Sequence, residues 1–465
     1  MIFKAHTYWQ LLFLFCVSLL FLNLEYLPVV WLDEVMDLEP VGRWFLNGKH
    51  ASIAWPMQGC EEKCLVNLPL RELPHFIALF LFGPSVWGLR CIFLLLYITA
   101  ALGFWKSLNT LNLSKPMAYF FVAVLFLDKG TLEMMRGCRP EIIEMAAMAW
   151  GFYFIQQKKW LVASILFLAL AWIHPSMWLV SLGFLVFIFI HSSKKIKVLS
   201  LLSIIVSFLA FWLFIGGDYV LFFKQFSKSA GAHVPQYGFF KKLLNHFYSR
   251  YITYWNIDFW WFFIFICSHI WIFSKWKQLG LLAKTNVLIT VLTSVFWLLF
   301  LMPNHRYSVS LNMLLVLNLL MVLPNFSLKL NHKWIQFVVM TMLLFPFGIR
   351  VVLGLIHREE RNPHKVIAWM EEELPTQKTL LLGESIGSYW SLKHKGTKFA
   401  HETQPQNAKF EEYDQVFFLS RDQDYPVFSQ YPIKQNTTYF GWQLKGKTYA
   451  GICLYKIESQ EPFDA

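Results

Sequence analysis

Apolar blocks follow one another through most of this chain, and they leave few folds open to it. They run over 9–31, 77–105, 117–127, 140–155, 160–173, 176–190, 197–215, 257–273, 281–302, 308–323 and 334–355. Several come close to the roughly 20 residues that carry a helix across a bilayer, and others are shorter. They are apolar all round, without the striped pattern of a surface helix. Only 15% of the 465 residues are charged and 56% are hydrophobic, whereas a soluble protein carries about a quarter charged. The expected fold is an α-helical polytopic membrane protein. The net charge of +12 does not point to nucleic acid. Much of it sits in short basic clusters between blocks, where it sets membrane orientation.

The stretch Trp160–Ile190 fixes the parity. As one helix it would be about 46 Å long, well beyond the hydrocarbon thickness. Lys158-Lys159 precede it and Lys194-Lys195 follow it, and two basic flanks belong on one, cytoplasmic, side. The block therefore breaks at His174-Pro175, where proline disfavours a continuing helix. About 11 transmembrane helices result, with the N-terminus cytoplasmic. No small-x-small cleavage site follows the first block, which reads as a retained span. The opposite face receives loops 32–76 and 216–256, the turn at His174 and everything after about 356.

Residues 1–355 form the membrane part. Residues 356–465 read as a small extracytoplasmic α/β domain. Helices are expected over 363–374 and 385–394, and strands over 379–383, 413–419 and 451–456. That domain has no Gly-rich phosphate loop, and the membrane part shows no internal repeat of the kind carriers use.

Polar residues collect on the outer face. Asp33 and Glu34 stand at the exit of the first block, where a carboxylate needs a reason to be near hydrocarbon. Arg136 and Arg139 flank Gly137-Cys138 just before Pro140-Glu141. His174 stands at the hairpin turn, and His305 and Arg306 precede a late block. Pro140 suits the first position of a helix, whose open N–H groups favour an anion, as arginines do. The set reads as a phosphate site. The competing reading pairs Arg139 with Glu141 or Glu144, and Arg136 with Glu133. It leaves His174 as a helix end and His305-Arg306 as a headgroup anchor. Cys60 and Cys64 fit a loop staple outside the cytoplasm better than a metal site, with free thiols as the remaining option.

In order along the chain, Leu32-Asp33-Glu34 through Gly48, Asn67-Leu-Pro69-Leu, Gly83 to Arg90, Arg139-Pro140-Glu141 and Arg306-Tyr307 resemble motifs of one family. It is the protein mannosyltransferase and aminoarabinose transferase superfamily, GT-C glycosyltransferases that use polyprenyl-phosphate sugars. Val66-Asn67 stands where the aminoarabinose transferases carry Glu-Lys, which speaks against the same donor or phosphate clamp. Glu141 replaces the commoner Asp.

The resemblance implies a membrane glycosyltransferase acting on the extracytoplasmic face with inversion. Asp33 is its general base, and Glu34 orients Asp33 or contacts sugar hydroxyls. Arg136, Arg139 and Arg306, with His305 and His174, hold the donor phosphate. The partners implied are a polyprenyl-phosphate-linked sugar, an acceptor protein, glycolipid or cell-envelope polymer, and the lipid bilayer, with no nucleic acid. No cofactor is required, and a divalent metal at Asp33-Glu34 is left open but not predicted. The setting is a bacterial inner (plasma) membrane. The alternatives are a polytopic lipid or anion transporter, and an inactive assembly subunit of the same fold.

Overall fold

The computed structural model describes residues 5–22, 24–25, 30, 32–54, 59–111, 113, 115–233, 268–300, 309–322, scattered positions over 341–358, 362–401, 412–420, 433–445 and 448–457. The helices are α1 (Ala5–Leu22), α2 (Leu32–Asn47), α3 (Pro69–Phe82), α4 (Val86–Asn109), α5 (Lys115–Phe126), α6 (Lys129–Arg136) and α7 (Pro140–Gln156). They continue as α8 (Trp160–Ala171), α9 (Trp178–His191), α10 (Lys194–Ile215), α11 (Tyr219–His233), α12 (Leu281–Phe300) and α13 (Val309–Val322). The C-terminal unit adds α14 (Pro363–Glu373), α15 (Ile386–Ser391) and five strands.

Among the described residues, α4 and α10 are each long and apolar enough to cross a membrane. Shorter apolar helices include Gln10–Leu22, Met117–Phe126, Trp160–Ala171, Trp178–His191, Leu281–Phe296 and Val309–Met321. The apolar window of α10 is only 11% buried against 56% for that of α4, so among the described residues α4 sits inside the bundle and α10 at its edge. The break at His174-Pro175 is present: α8 stops at Ala171, a 3-10 turn covers Pro175–Met177, and α9 follows.

Two expected blocks divide differently. The run 77–105 is not one span. Gly83, at φ +66, ends α3, and Ser85 caps α4 by accepting from the Gly88 N–H. A Gly-Pro-Ser sequence stops one helix and starts the next. The 14 residues of α3 reach only about 21 Å. The run 9–31 is also interrupted. α1 ends at Leu22, Leu24 and Glu25 lie in a turn, and α2 begins at Leu32. Asp33 and Glu34 thus open a helix instead of lying in a loop. The 216–256 loop carries α11, with Lys224 and Lys228 on it. Lys241, Lys242 and Arg250 lie outside the described residues, as do most of blocks 257–273 and 334–355.

Aromatic residues and small residues hold the bundle together. Gly151 of α7 lets Phe167 of α8 approach so closely that a Cβ there would lie 2.7 Å from the ring. α12 and α13 are joined by polar side chains: Asn286 donates to Asn318 Oδ1 (2.6 Å), and Asn318 donates to Thr290 (3.0 Å). Such bonds between helices are a common adhesive in hydrocarbon.

The strands are β1 (Thr379–Gly383), β2 (Thr397–His401), β3 (Gln415–Ser420), β4 (Ile433–Lys445) and β5 (Thr448–Ile457), in the order β2-β1-β3-β5-β4. β1 lies parallel to β2 and β3, and β5 runs antiparallel to β3 and β4. β2 and β4 are additional to the strands expected from the sequence. Gly383, at φ +112, pairs with Leu419, and a Cβ there would stand 2.0 Å from the Leu419 carbonyl oxygen. One buried apolar cluster runs from α1 through α4–α9 to Val366, Leu381, Tyr389 and Phe417. The C-terminal unit is therefore packed against the helical part.

Candidate active site

Every described side chain of α2 from Glu34 to Arg43 is buried. Three of them are carboxylates, and a buried carboxylate is costly unless paired. Each has a partner on a different element or turn. Glu34 Oε2 accepts from Arg90 Nη2 of α4 at 2.9 Å, and its Oε1 accepts from the Tyr389 hydroxyl of α15. Arg90 also donates to the Leu24 carbonyl (3.0 Å), which pins the break between α1 and α2. Asp37 is held by Arg71 of α3, with Nε 2.8 Å from Oδ1. Glu39 pairs with Arg43 at 2.8 Å, one turn along. Arg43 also donates to Ser391 Oγ (3.0 Å) and to the Thr397 carbonyl in the C-terminal unit. α2 is thus tied to α3, to α4 and to the sheet.

The α6–α7 corner supplies the next layer. Asp128 caps α6, accepting from the N–H groups of Gly130 (3.0 Å) and Thr131 (3.3 Å). Arg136 closes α6, Arg139 is the residue before α7, and Pro140 takes the first helical position, as expected. Between them Cys138 adopts φ +51, a conformation uncommon outside glycine. The Arg139 guanidinium forks onto Glu141, Nη2 to Oε1 at 2.9 Å and Nε to Oε2 at 3.1 Å. The pairing alternative thus holds for Arg139 and Glu141. Glu144, next on α7, accepts from Ser310 of α13.

Electrostatics joins these pieces. Burial works against the charge on Arg71, and Asp37 more than offsets it, with Arg139 and Glu141 also within range. Burial pushes the Cys138 thiol well up, helped by Glu34. His75, fully buried beside Phe93, is pushed down to about 4 by burial, against the pull of Asp37. It is neutral at physiological pH.

A groove of about 470 Å³ lies against the later turns of α2 and against α3. Val41, Trp44, Leu73, Phe76 and Phe214 give it apolar walls, and Lys63, His50 and Glu72 its polar groups. His50 bridges Glu72 (Nε2–Oε2 2.6 Å) and the Cys64 carbonyl (2.8 Å). Burial pulls the His50 pKa down, but the Glu72 carboxylate outweighs it and holds His50 above its ordinary value. Cys60 and Cys64 form a disulfide. Gln225 of α11 fastens that loop, accepting from the Leu65 N–H (2.8 Å) and donating to the Gly59 (2.7 Å) and Lys63 (2.6 Å) carbonyls.

Of the residues picked out from the sequence, Glu34, Arg139 and Glu141 fall in or beside this ionic cluster. Arg136 is buried nearby and acts on Tyr97, as Asp128 does, at the α4–α6 contact. His174 is half-buried at the α8–α9 turn, on a different helix pair from those that build the cluster. The side chain of Asp33, and all of His305 and Arg306, lie outside the described residues. Sequence reading passed over Arg71, Tyr389 and the His50–Glu72 pair, weighed Glu144 only as an ion-pair partner of Arg139, and gave Asp37 no role in the site. A signal existed for Asp37, which stands three residues after Glu34 and so on the same helix face.

No family model matches the chain, and no curated protein matches it. Among solved structures, the crystal structure of ArnT from Cupriavidus metallidurans in the apo state aligns over 97% of this chain and 98% of its own, with a TM-score of 0.58 and 11% identity. At that identity the likeness is one of fold. The chain shares the overall fold of that ArnT structure.

Proposed function

We propose that this chain is an integral membrane glycosyltransferase that moves a sugar from a polyprenyl-phosphate donor to an acceptor on the extracytoplasmic face. The observation that carries the reading is a juxtaposition: α2 carries a buried ionic cluster on its first turns and, farther along, borders with α3 an apolar groove of about 470 Å³. A donor that is half isoprenoid and half anionic sugar needs both surfaces within one molecule's reach. The fold shared with the ArnT structure adds to this.

In this reading about eleven spans hold the N-terminus in the cytoplasm and the C-terminal unit outside, in a bacterial inner membrane. Asp33, in the first turn of α2, takes the proton from the acceptor hydroxyl or amine. The acceptor's electron pair attacks the anomeric carbon while the bond to the phosphate oxygen breaks on the opposite face, inverting the centre. Charge grows on the leaving phosphate, so fixed cations favour the transition state over the ground state. Arg71 and Arg139 are the candidates from the described cluster, with Arg136, Arg306, His305 and His174 as the wider set. Glu34, with both oxygens engaged by Arg90 and Tyr389, orients the helix and does not serve as a ligand. The acceptor class is protein, glycolipid or envelope polymer, and the scheme needs no cofactor.

The transporter alternative calls for polar residues deep in the spans. Asn286, Thr290 and Asn318 are such residues, but they hydrogen-bond to one another across α12 and α13, which suits interhelical adhesion better than a path.

The test is release of free polyprenyl phosphate by the purified full chain in nanodiscs, offered a panel of polyprenyl-phosphate hexoses and pentoses. Donor-dependent release is expected for at least one member. If no member binds, the transferase reading fails.

A further inference from the structure

Glu34 follows Asp33 directly, and it is fully buried with both carboxylate oxygens occupied. Arg90 takes Oε2 from within the helical part. Oε1 accepts from Tyr389, a residue of the C-terminal unit 355 positions further along the chain and itself fully buried. The same short helix makes the neighbouring contacts. Ser391 receives Arg43, and Leu392 fills the space over Gly42 so tightly that a Cβ there would lie 2.5 Å from its Cδ2. These contacts place α15 and the residue after it along α2 from its first turn to its third.

Arg90 alone balances the charge of Glu34. It leaves Oε1 without a donor, and a buried carboxylate oxygen without a hydrogen bond is expensive. The Tyr389 hydroxyl supplies that donor. Burial first, and the Glu34 charge second, push the phenol well above its ordinary pKa, so the proton stays on the tyrosine.

We propose that Tyr389 is a positioning residue: from the C-terminal unit it fixes Glu34, and through Glu34 the first turn of α2 that presents Asp33. The C-terminal unit is then part of the scaffold of the reaction centre, not only a cover or an acceptor-recognition module. The catalytic half of this inference rests on the transferase reading. The mechanical half, that the Tyr389 hydroxyl orders the first turn of α2, does not.

The experiment uses the full chain in nanodiscs and the variant Tyr389→Phe, which removes one oxygen and keeps the ring. Amide hydrogen exchange is followed over residues 32–39, with the β1 and β3 peptides as internal controls. Exchange over 32–39 is expected to rise about 10-fold or more, with β1 and β3 unchanged and Tm lowered by no more than about 3 °C. With a donor that turns over, kcat is expected to fall about 10- to 100-fold while KM stays within about 2-fold. In a Glu34→Ala background, Tyr389→Phe is expected to have no further effect on kcat, because the path through Glu34 is already cut.

Unchanged exchange over 32–39 overturns the proposal, whatever happens to activity. So does a rise in exchange with kcat unchanged, or an equal loss of kcat in the Glu34→Ala background. A general rise that includes β1 and β3 also overturns it, since Tyr389 would then be holding the C-terminal unit together. If wild type turns over no donor, the transferase reading fails by itself, and the exchange over 32–39 still decides whether Tyr389 orders α2.

Discussion

Arg71 Nε lies 2.8 Å from Asp37 Oδ1, joining α3 to α2, and Asp37 is 1% exposed while Arg71 retains 15%. The arginine is therefore the member of the pair with a face left toward the outside. Removing it as Arg71→Met strands a buried carboxylate, which costs about 3–5 kcal/mol. Arg71→Met with Asp37→Leu replaces the pair by apolar groups and should recover most of that stability, as read by thermal unfolding. Donor turnover should stay lost in both variants, because the cation assigned to the leaving phosphate is gone. Recovery of turnover in the double variant would remove Arg71 from the phosphate site.

The Cys60–Cys64 disulfide and Gln225 together hold the loop that carries His50 and Lys63 to the groove. The closed ring is short, so the expected contribution is only about 2 kcal/mol. Its effect should be local. A Cys60→Ser, Cys64→Ser variant is expected to become sensitive to limited proteolysis between residues 49 and 65, with Tm lowered by no more than about 3 °C. Proteolysis unchanged from wild type would show that Gln225 suffices to hold the loop.

His75 gives the stability a pH slope. Its pKa falls from 6.5 to about 4 on burial. Between those values the unfolded chain binds the proton and the folded one does not, so stability falls as pH drops from 6.5 toward 4. The full effect is roughly 3 kcal/mol and is absent above about pH 7. Tm measured from pH 7.5 to 4.5 should therefore drop more steeply in wild type than in His75→Gln. Parallel curves would contradict the assignment.

Much of the helical order could be read from the sequence because its signals are local. Pro140 after Arg139 starts α7, His174-Pro175 parts α8 from α9, and the apolar runs of β1 and β3 are short and flanked by turns. The misplaced boundaries also have local causes. Gly83 and Ser85 interrupt an apolar run that composition alone would join, and α2 begins where hydropathy only shows an exit. What stayed hidden is long-range. Tyr389 and Glu34, or Arg43 and Thr397, meet across more than 340 residues, and no spacing in the chain announces them. Arg139 illustrates the reverse case. Its partner is local, Glu141 two residues away, a pairing that the sequence already offered beside the phosphate reading.

The role proposed for Asp33 is that of the base in a sugar transfer from a lipid phosphate. It is tested most directly by comparing wild type with Asp33→Asn on the donor that wild type turns over. Asparagine keeps the shape and removes the proton acceptor. Turnover is predicted to fall by at least about 100-fold while donor binding stays within a few-fold of wild type. Equal turnover in the two proteins would contradict the account.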